Sequence, residues 1–162
     1  MEKSVFITGA TVNTGLGIAE KFAKEGYNLF LGSRNAENAE KTAKELSEKY
    51  GVYAKGYGMK IFDEENTKEI FTDIKNSGYS VDTLVLNAAN LGIRQQFFDV
   101  SIDDFMNVIN TNIGWNFMLS REAAIQMKEN GGGSIVFVNS NTAYRAIPDR
   151  IAYSASKSGA LG

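Results

Sequence analysis

The chain has 162 residues, with 17 basic and 19 acidic side chains and a formal net charge of −2. This length suits one domain spanning residues 1–162, and the near-neutral balance disfavours a nucleic-acid partner, which usually requires a basic stripe. The sequence has no cysteine and no histidine, so disulfides, thiolate metal sites and cysteine nucleophiles are excluded. Proton transfer near neutral pH is left to a carboxylate, a lysine or a tyrosine, and we predict no metal site.

The first apolar run, SVFIT, stops at Gly9 and is shorter than the apolar region of a signal peptide. It is typical of a first β-strand. No stretch approaches the ~20 apolar residues that a membrane-spanning helix needs. We therefore expect a cytoplasmic protein without a membrane partner.

Short apolar runs alternate with longer amphipathic segments along the chain. Helical patterns occupy residues 15–25, 36–49, 64–76 and 101–130, and the five predicted strands are SVFIT, NLFLG, GVYAKGYG, TLVLNA and SIVFVNS. The strands are mostly apolar at successive positions, as buried parallel strands are. The alternation predicts an α/β fold, a doubly wound parallel sheet (Rossmann fold) with helices on both faces.

Residues that favour helix termini stand at the ends of these helical patterns. Gly26, Gly51 and Gly78 each follow a helical pattern, where a glycine in the left-handed conformation satisfies the last carbonyls. Ser101 and Asp104 form a capping box that predicts the start of the next helix.

A glycine-rich turn joins the first strand to the first helix. Gly9, Gly15, Leu16 and Gly17 belong to this turn, where glycines allow the backbone to approach a pyrophosphate at the helix amino terminus. A tight turn with a purely structural role is the alternative. Because the turn directly follows strand one, we favour a dinucleotide site.

The end of the second strand bears on which dinucleotide binds. An acidic residue here would bind the ribose hydroxyl of NAD, but the sequence has Ser33 and then Arg34, and arginine suits the 2′-phosphate of NADP. We predict NADP as the cofactor, with NAD as the weaker alternative. Arg34 as an ordinary exposed loop cation is the other interpretation.

Tyr153 and Lys157 stand at positions i and i+4 of a helical pattern and therefore share one face of the helix. The residues between them are small, which allows the helix to lie close to a flat ligand. An ordinary surface pair is the alternative for these two residues alone.

Four segments occur in the order and spacing of one protein family: TGATVNTGLG, LVLNAAN, NTNIGWNF, and VNS followed by YSASK. On these segments, the sequence resembles the short-chain dehydrogenase/reductases over its full length. The resemblance implies that Tyr153 is the catalytic acid/base and that Lys157 binds the nicotinamide ribose and favours the phenolate. It assigns Ser140 to the substrate carbonyl and Asn112, within the long helix, to a water-linked proton relay.

The resemblance also implies cofactor contacts away from the reacting atoms. Asn87, Ala88 and Ala89 match the fourth-strand segment beside the cofactor, and the backbone of Ile61 matches a position near the adenine. Lys60 stands where family members usually have an aspartate.

The implied activity is NADP-dependent transfer of hydride between nicotinamide and a carbonyl or secondary alcohol, with a 3-oxoacyl thioester as one substrate among many. A dinucleotide-binding module without turnover, or a truncated remnant, is the second hypothesis. An enoyl-thioester reductase is the third, because the glycine loop is long, although YSASK matches the carbonyl reductases.

The resemblance implies a homodimer or homotetramer formed through the long helix and the tyrosine helix. Trp115, Phe117 and Met118 belong either to the core or to that interface. Family members continue beyond the tyrosine helix, so we expect the 162-residue chain to lack their carboxyl-terminal part and to be aggregation-prone by itself.

Overall fold

A computed structural model describes residues 3–162. Its five strands are β1 Ser4–Thr8, β2 Asn28–Ser33, β3 Ala54–Gly58, β4 Thr83–Leu86 and β5 Ser134–Phe137. They form one parallel sheet in the order β3-β2-β1-β4-β5. The predicted doubly wound α/β fold is confirmed, although β3, β4 and β5 are shorter than the apolar runs that predicted them.

Six α-helices accompany the strands, five between strands and the sixth after β5: α1 Asn13–Lys24, α2 Ala36–Tyr50, α3 Glu64–Asn76, α4 Ile102–Ile109, α5 Asn116–Glu129 and α6 Ile151–Gly159. The region predicted as one helix over residues 101–130 is divided, because a π-helix over Asn110–Trp115 separates α4 from α5. A π-helix widens the turn by one residue and is frequent at functional sites.

The predicted glycines at the helix carboxyl ends and the predicted cap at Ser101 are confirmed. Gly26, Gly51 and Gly78 have φ values of +79°, +71° and +84°, in the left-handed region that glycine adopts without strain. Ser101 caps α4, because its Oγ accepts the Asp104 amide at 3.0 Å and donates to the Asp104 carboxylate at 2.7 Å.

The core lies on both faces of the sheet, because alternate residues of a strand point to opposite sides. Phe6 and Phe30 face the side covered by α3 and α5, where Ile74 and Leu119 are fully buried. On the other side, β1 and β2 pack against α1 and α2 through a second cluster of small and aliphatic residues, which includes Val5, Ile7, Leu29, Leu31, Ala19 and Ala43.

The expectation of buried strands is wrong for β5. Ile135, Val136 and Phe137 are 36%, 46% and 41% exposed, respectively. The physical reason is that β5 pairs with β4 alone and no helix packs extensively against it among the described residues, whereas the other edge strand, β3, packs against α2. Within residues 3–162, no helix combines the length and the apolar character that crossing a membrane requires.

Candidate functional site

A cavity of about 970 Å³ opens at the carboxyl ends of the strands. All five strand ends contribute to its lining, through Gly9 after β1, Ser33 in β2, Met59 after β3, Asn87 after β4 and Val138 after β5. In open parallel sheets this edge is where ligands bind.

The glycine-rich turn is packed tightly against the end of β4. Gly9 has a φ of +65°, and a Cβ added to Gly15 would collide with the Gly9 carbonyl oxygen. Asn87 holds the turn, because its Nδ2 donates to the Thr8 and Gly9 carbonyl oxygens at 3.1 Å each. Thr8 Oγ1 in turn accepts the amides of Asn87 and Ala88, both at 3.0 Å.

The amino terminus of α1 has the features of an anion site. Asn35, Asp63 and Ser101 cap α2, α3 and α4 with their side chains, whereas Val12 gives α1 no side-chain cap. The first turn of α1 also carries no acidic residue, and Val12 and Asn13 line the cavity. The residues present therefore fit the pyrophosphate of a dinucleotide, which would accept from amides that the protein leaves without side-chain partners.

Leu16 and Gly17, which the sequence placed in this turn, lie in α1 and do not line the cavity. A Cβ added to Gly17 would meet no atom within 4 Å outside its own helical turn, so packing does not require glycine there. Gly15, in contrast, has no room for a side chain.

The charge of the cavity lining is positive. Arg34 and Lys157 are its charged residues, and no carboxylate is present among the described residues that form it. Arg34 is exposed and forms no ion pair within residues 3–162. Beside it, the Ser33 hydroxyl accepts from the Thr11 hydroxyl at 3.5 Å and from the Asn35 amide at 3.3 Å.

Tyr153 and Lys157 lie together at the β4–β5 side of the cavity, on α6. Lys157 Nζ is 5.7 Å from the centroid of the Tyr153 ring and donates to the Val138 carbonyl oxygen at 2.8 Å. Lys157 is 8% exposed, and burial lowers the pKa of its ammonium group below the usual value. The carbonyl of Val138 thus fixes the cation beside the phenol ring.

Asn112 is buried in the π-helix and does not line the cavity. Its side chain accepts from the Asn90 amide at 2.7 Å and donates to the Asn90 carbonyl at 2.9 Å and to Ser156 Oγ at 2.9 Å. Ser156 Oγ donates onward to the Tyr153 carbonyl at 2.8 Å. Asn112 therefore connects the segment after β4 to the helix that carries Tyr153.

Ser140 follows β5 by three residues but does not line the cavity. Its hydroxyl bonds within its own turn, accepting from the Thr142 amide at 3.3 Å and donating to Asn141 Oδ1 at 3.4 Å. Within residues 3–162, no hydrogen bond joins Ser140 to Tyr153.

The remaining predicted cofactor residues line the cavity. They are Ile61, Asn87, Ala88 and Ala89, together with Gly9, Gly15 and Arg34. Lys60 does not line it, and its backbone amide donates to Asn66 Oδ1 at 2.8 Å.

Sequence reasoning missed the residues that brace α6. Arg150 precedes the helix, and its Nη1 donates to the Leu91 carbonyl at 2.7 Å and to the Gly92 carbonyl at 3.0 Å. Sequence reasoning also missed Phe62 and Trp115 as residues that line the cavity. Phe62 could have been proposed from the sequence, because it is an aromatic residue next to the predicted adenine contact Ile61.

A model of the short chain dehydrogenase family matches residues 3–162. The 3-oxoacyl-[acyl-carrier-protein] reductase FabG of Aquifex aeolicus is 31% identical over 99% of this chain and 64% of its own length. The 3beta-hydroxysteroid dehydrogenase of Mediterraneibacter gnavus is 31% identical over 99% of this chain and 58% of its own length. The chain thus spans about 60% of the length of these curated relatives.

Solved structures agree in fold. The alcohol dehydrogenase of the archaeon Thermococcus sibiricus, complexed with 5-hydroxy-NADP, superposes with a TM-score of 0.90 at 28% identity, over 99% of this chain and 67% of that one. A short-chain alcohol dehydrogenase from Sinorhizobium meliloti superposes with a TM-score of 0.90 at 30% identity, over all of this chain and 64% of its own. The chain therefore belongs to the short-chain dehydrogenase/reductase family of oxidoreductases, which use NAD or NADP.

Proposed function

We propose that the protein is an NADP-dependent oxidoreductase that transfers a hydride between nicotinamide and a carbonyl or secondary alcohol. The observation that carries the proposal is the pairing of Tyr153 with a fixed Lys157 cation in a cavity that has no carboxylate in its described lining. The phenol is a proton donor for a substrate oxygen, and the fixed ammonium lies close enough to the ring to stabilise the charge that proton transfer creates.

Residues at different strand ends bind different parts of the dinucleotide. The amides at the start of α1 hold the pyrophosphate, Arg34 and Ser33 bind the 2′-phosphate, and the segment from Asn87 to Ala89 borders the nicotinamide half. When bound, the cofactor supplies or accepts the hydride.

Tyr153 performs the proton chemistry. In the reductive direction the carbonyl carbon gains a hydride and its oxygen gains the proton of the Tyr153 hydroxyl, which gives an alcohol. The Lys157 ammonium stabilises the negative charge left on the phenol oxygen, and the Val138 carbonyl holds that ammonium in place. In the oxidative direction the phenolate accepts the alcohol proton.

Ser140 and Asn112 support this chemistry. Ser140 holds the substrate oxygen once its hydroxyl exchanges its bonds to Asn141 and Thr142 for the substrate. Asn112 takes part in returning the proton to Tyr153, and its bonds to Ser156 and Asn90 keep the tyrosine helix in register with the segment after β4.

Replacing Arg34 by aspartate tests the choice of cofactor. We expect Arg34→Asp to weaken NADPH binding by about 10- to 100-fold and to spare NADH, because an arginine–phosphate contact is charge-assisted. The sole tryptophan, Trp115, lines the cavity, so its fluorescence reports both dissociation constants. Lys60→Asp makes the same charge change outside the cavity and should leave the NADPH-to-NADH ratio unchanged. An unchanged ratio in Arg34→Asp would remove Arg34 from the site.

A dinucleotide-binding module without turnover is the second candidate function. The observation that favours it is the Ser140 hydroxyl, which bonds within its own turn and not toward the cavity. Stoichiometric NADPH binding without NADPH oxidation, across a panel of ketones, aldehydes and a 3-oxoacyl thioester, would select this candidate over the oxidoreductase.

A further inference from the structure

Phe62 has a backbone conformation that aromatic residues avoid. Its φ is +57°, in the segment between β3 and α3. A bulky side chain in the left-handed region costs conformational energy, and such costs concentrate at functional sites. Phe62 is also 43% exposed and lines the cavity.

A glycine of the π-helix makes room for the Phe62 ring. A Cβ added to Gly114 would lie 2.5 Å from Cε2 of Phe62, so any side chain at position 114 would displace the ring. Glycine within a helix is itself unfavourable by roughly 1 kcal/mol relative to alanine. The ring is therefore held at the edge of the cavity by two locally unfavourable choices, the φ of residue 62 and the glycine at 114.

Trp115 adds a third locally unfavourable feature, a buried donor without a partner among the described residues. Trp115 follows Gly114, is 2% exposed and lines the same cavity. Its Nε1 donor is buried without a hydrogen-bond partner in the described part of the chain. Met59, which also lines this end, has its Sδ where a Cβ of Gly32 would be. The wall formed by Met59, Phe62 and Trp115 is thus apolar and aromatic.

The strand order places Met59 and Phe62, which follow β3, at the side of the cavity farthest from Tyr153. Phe62 follows β3 and Arg34 follows β2, whereas the Lys157 ammonium bonds to Val138 after β5. The glycine turn after β1 lies between them. A dinucleotide that rests its pyrophosphate on that turn, with the nicotinamide at Tyr153, extends its other base toward β2 and β3.

We propose that the Phe62 ring forms one wall of the adenine pocket and that its strained backbone conformation positions the ring for this contact. The proposal rests on the proposed function, because it requires a dinucleotide in the cavity. Stacking of a base on an aromatic side chain accounts for about 5- to 150-fold in affinity. The ring recognises the base face, so Phe62 adds affinity for either NADP or NAD, whereas Arg34 discriminates between them.

Fragments of the cofactor test the proposal by calorimetric titration. NADPH, 2′-phospho-ADP-ribose, which lacks the nicotinamide, and nicotinamide mononucleotide, which lacks the adenosine, are each titrated into the native protein and into Phe62→Ala. We expect Phe62→Ala to weaken NADPH and 2′-phospho-ADP-ribose by the same factor, about tenfold or more, and to leave the mononucleotide unchanged. Phe62→Tyr keeps the ring and should keep the affinity. Phe98→Ala removes a ring that is 91% exposed and outside the cavity, and it should have no effect.

A second measurement separates this contact from a purely structural role. Phe62→Gly and Phe62→Ala both lack the ring, but only glycine adopts a positive φ without strain. If the strain is real, Phe62→Gly melts at a higher temperature than Phe62→Ala while both lose the same affinity. Phe62→Gly no more stable than Phe62→Ala would overturn the strain, and unchanged affinity in both would overturn the adenine contact. A native protein that binds no NADPH would contradict the proposed function itself.

Discussion

β1 and β5 are both short apolar strands of one parallel sheet, yet their environments differ completely. Val5, Phe6 and Ile7 of β1 are 0% exposed, whereas the three apolar residues of β5 are at least 36% exposed. β1 lies between β2 and β4 with helices on both faces, and β5 has β4 as its only strand partner among the described residues. Burial is therefore a property of a strand's neighbours, and an apolar sequence only permits it.

The same contrast extends to the cavity. The β1 end carries the tightly packed glycine turn, which Asn87 and Thr8 tie to β4. The β5 end carries Tyr153 and Lys157, whose helix is joined to its neighbours by polar contacts that include those of Asn112 and Arg150. We expect substitutions at the first end to act on stability and those at the second to act on turnover.

Tyr153→Phe is the substitution for which we expect the largest effect. Loss of the phenol proton should lower carbonyl reduction by about 10²–10⁴-fold, with NADPH affinity and melting temperature little changed. Steady-state turnover, NADPH titration and thermal unfolding measure the three quantities. Tyr144→Phe, at a tyrosine that is 83% exposed, is the matched control. Near-normal turnover in Tyr153→Phe would contradict the proposed mechanism.

A pair of phenylalanine truncations tests the contrast between the two strands directly. Phe6→Ala should reduce the free energy of unfolding by about 3–5 kcal/mol, because it opens a cavity in a fully buried core. Phe137→Ala, at a position that is 41% exposed, should cost about 1 kcal/mol. Urea denaturation of both variants gives the two values. Equal costs would mean that β5 is covered in solution by something outside the described residues.

Two glycines in the first turns of α1 form a further matched pair. Gly15→Ala places a methyl group against the Gly9 carbonyl and 2.7 Å from Asn87 Nδ2, so we expect a loss of about 1–3 kcal/mol in stability together with weaker nucleotide binding. Gly17 is exposed within α1, and a Cβ there meets no atom outside its own helical turn, so Gly17→Ala should keep or slightly raise the melting temperature, because alanine favours a helix over glycine. Thermal unfolding without nucleotide separates the two variants, and a destabilised Gly17→Ala would show that the turn is tighter than described.

The smallest expected effect concerns alkaline pH. Burial and the hydrogen bond to Asp73 raise the pKa of the Tyr57 phenol, so its contribution to stability is present below about pH 10 and is lost as the pH rises above it. Burial lowers the pKa of Lys157, so its charge opposes folding at neutral pH and this penalty is relieved as the pH rises toward about 10.5.

Chemical denaturation at about pH 8 and about pH 11 tests these opposite signs. From the lower to the higher pH, the stability of the native protein relative to Tyr57→Phe should decrease. Its stability relative to Lys157→Met should increase over the same interval. Parallel pH dependence in the native protein and both variants would show that neither group titrates differently on unfolding.

Much of the fold followed from local patterns. The order of strands and helices came from apolar periodicity, and the left-handed glycines at 26, 51 and 78 came from the chemistry of helix ends. The π-helix could not be predicted, because residues 101–130 have one continuous helical pattern and the interruption depends on packing. The exposure of β5 also depends on the sheet position that the strand occupies.

The candidate site divides in the same way. The glycine turn and the Tyr153–Lys157 pair each lie within a few residues of sequence, and short-range geometry defines them. Three contacts of the site join residues that are far apart along the chain: Lys157 with the Val138 carbonyl, Asn112 with the Ser156 hydroxyl, and Arg150 with the Leu91 carbonyl. No local pattern encodes such contacts.

Sequence alone therefore determined the fold class, the family resemblance and the residues proposed for chemistry, since backbone conformation and side-chain type are local properties. Tertiary structure decided which of those residues line the cavity, how Ser140 and Asn112 are engaged, and where the strained Phe62 ring lies. The physical reason is that packing and hydrogen bonding depend on distances across the sheet, which only the folded arrangement of all the elements specifies.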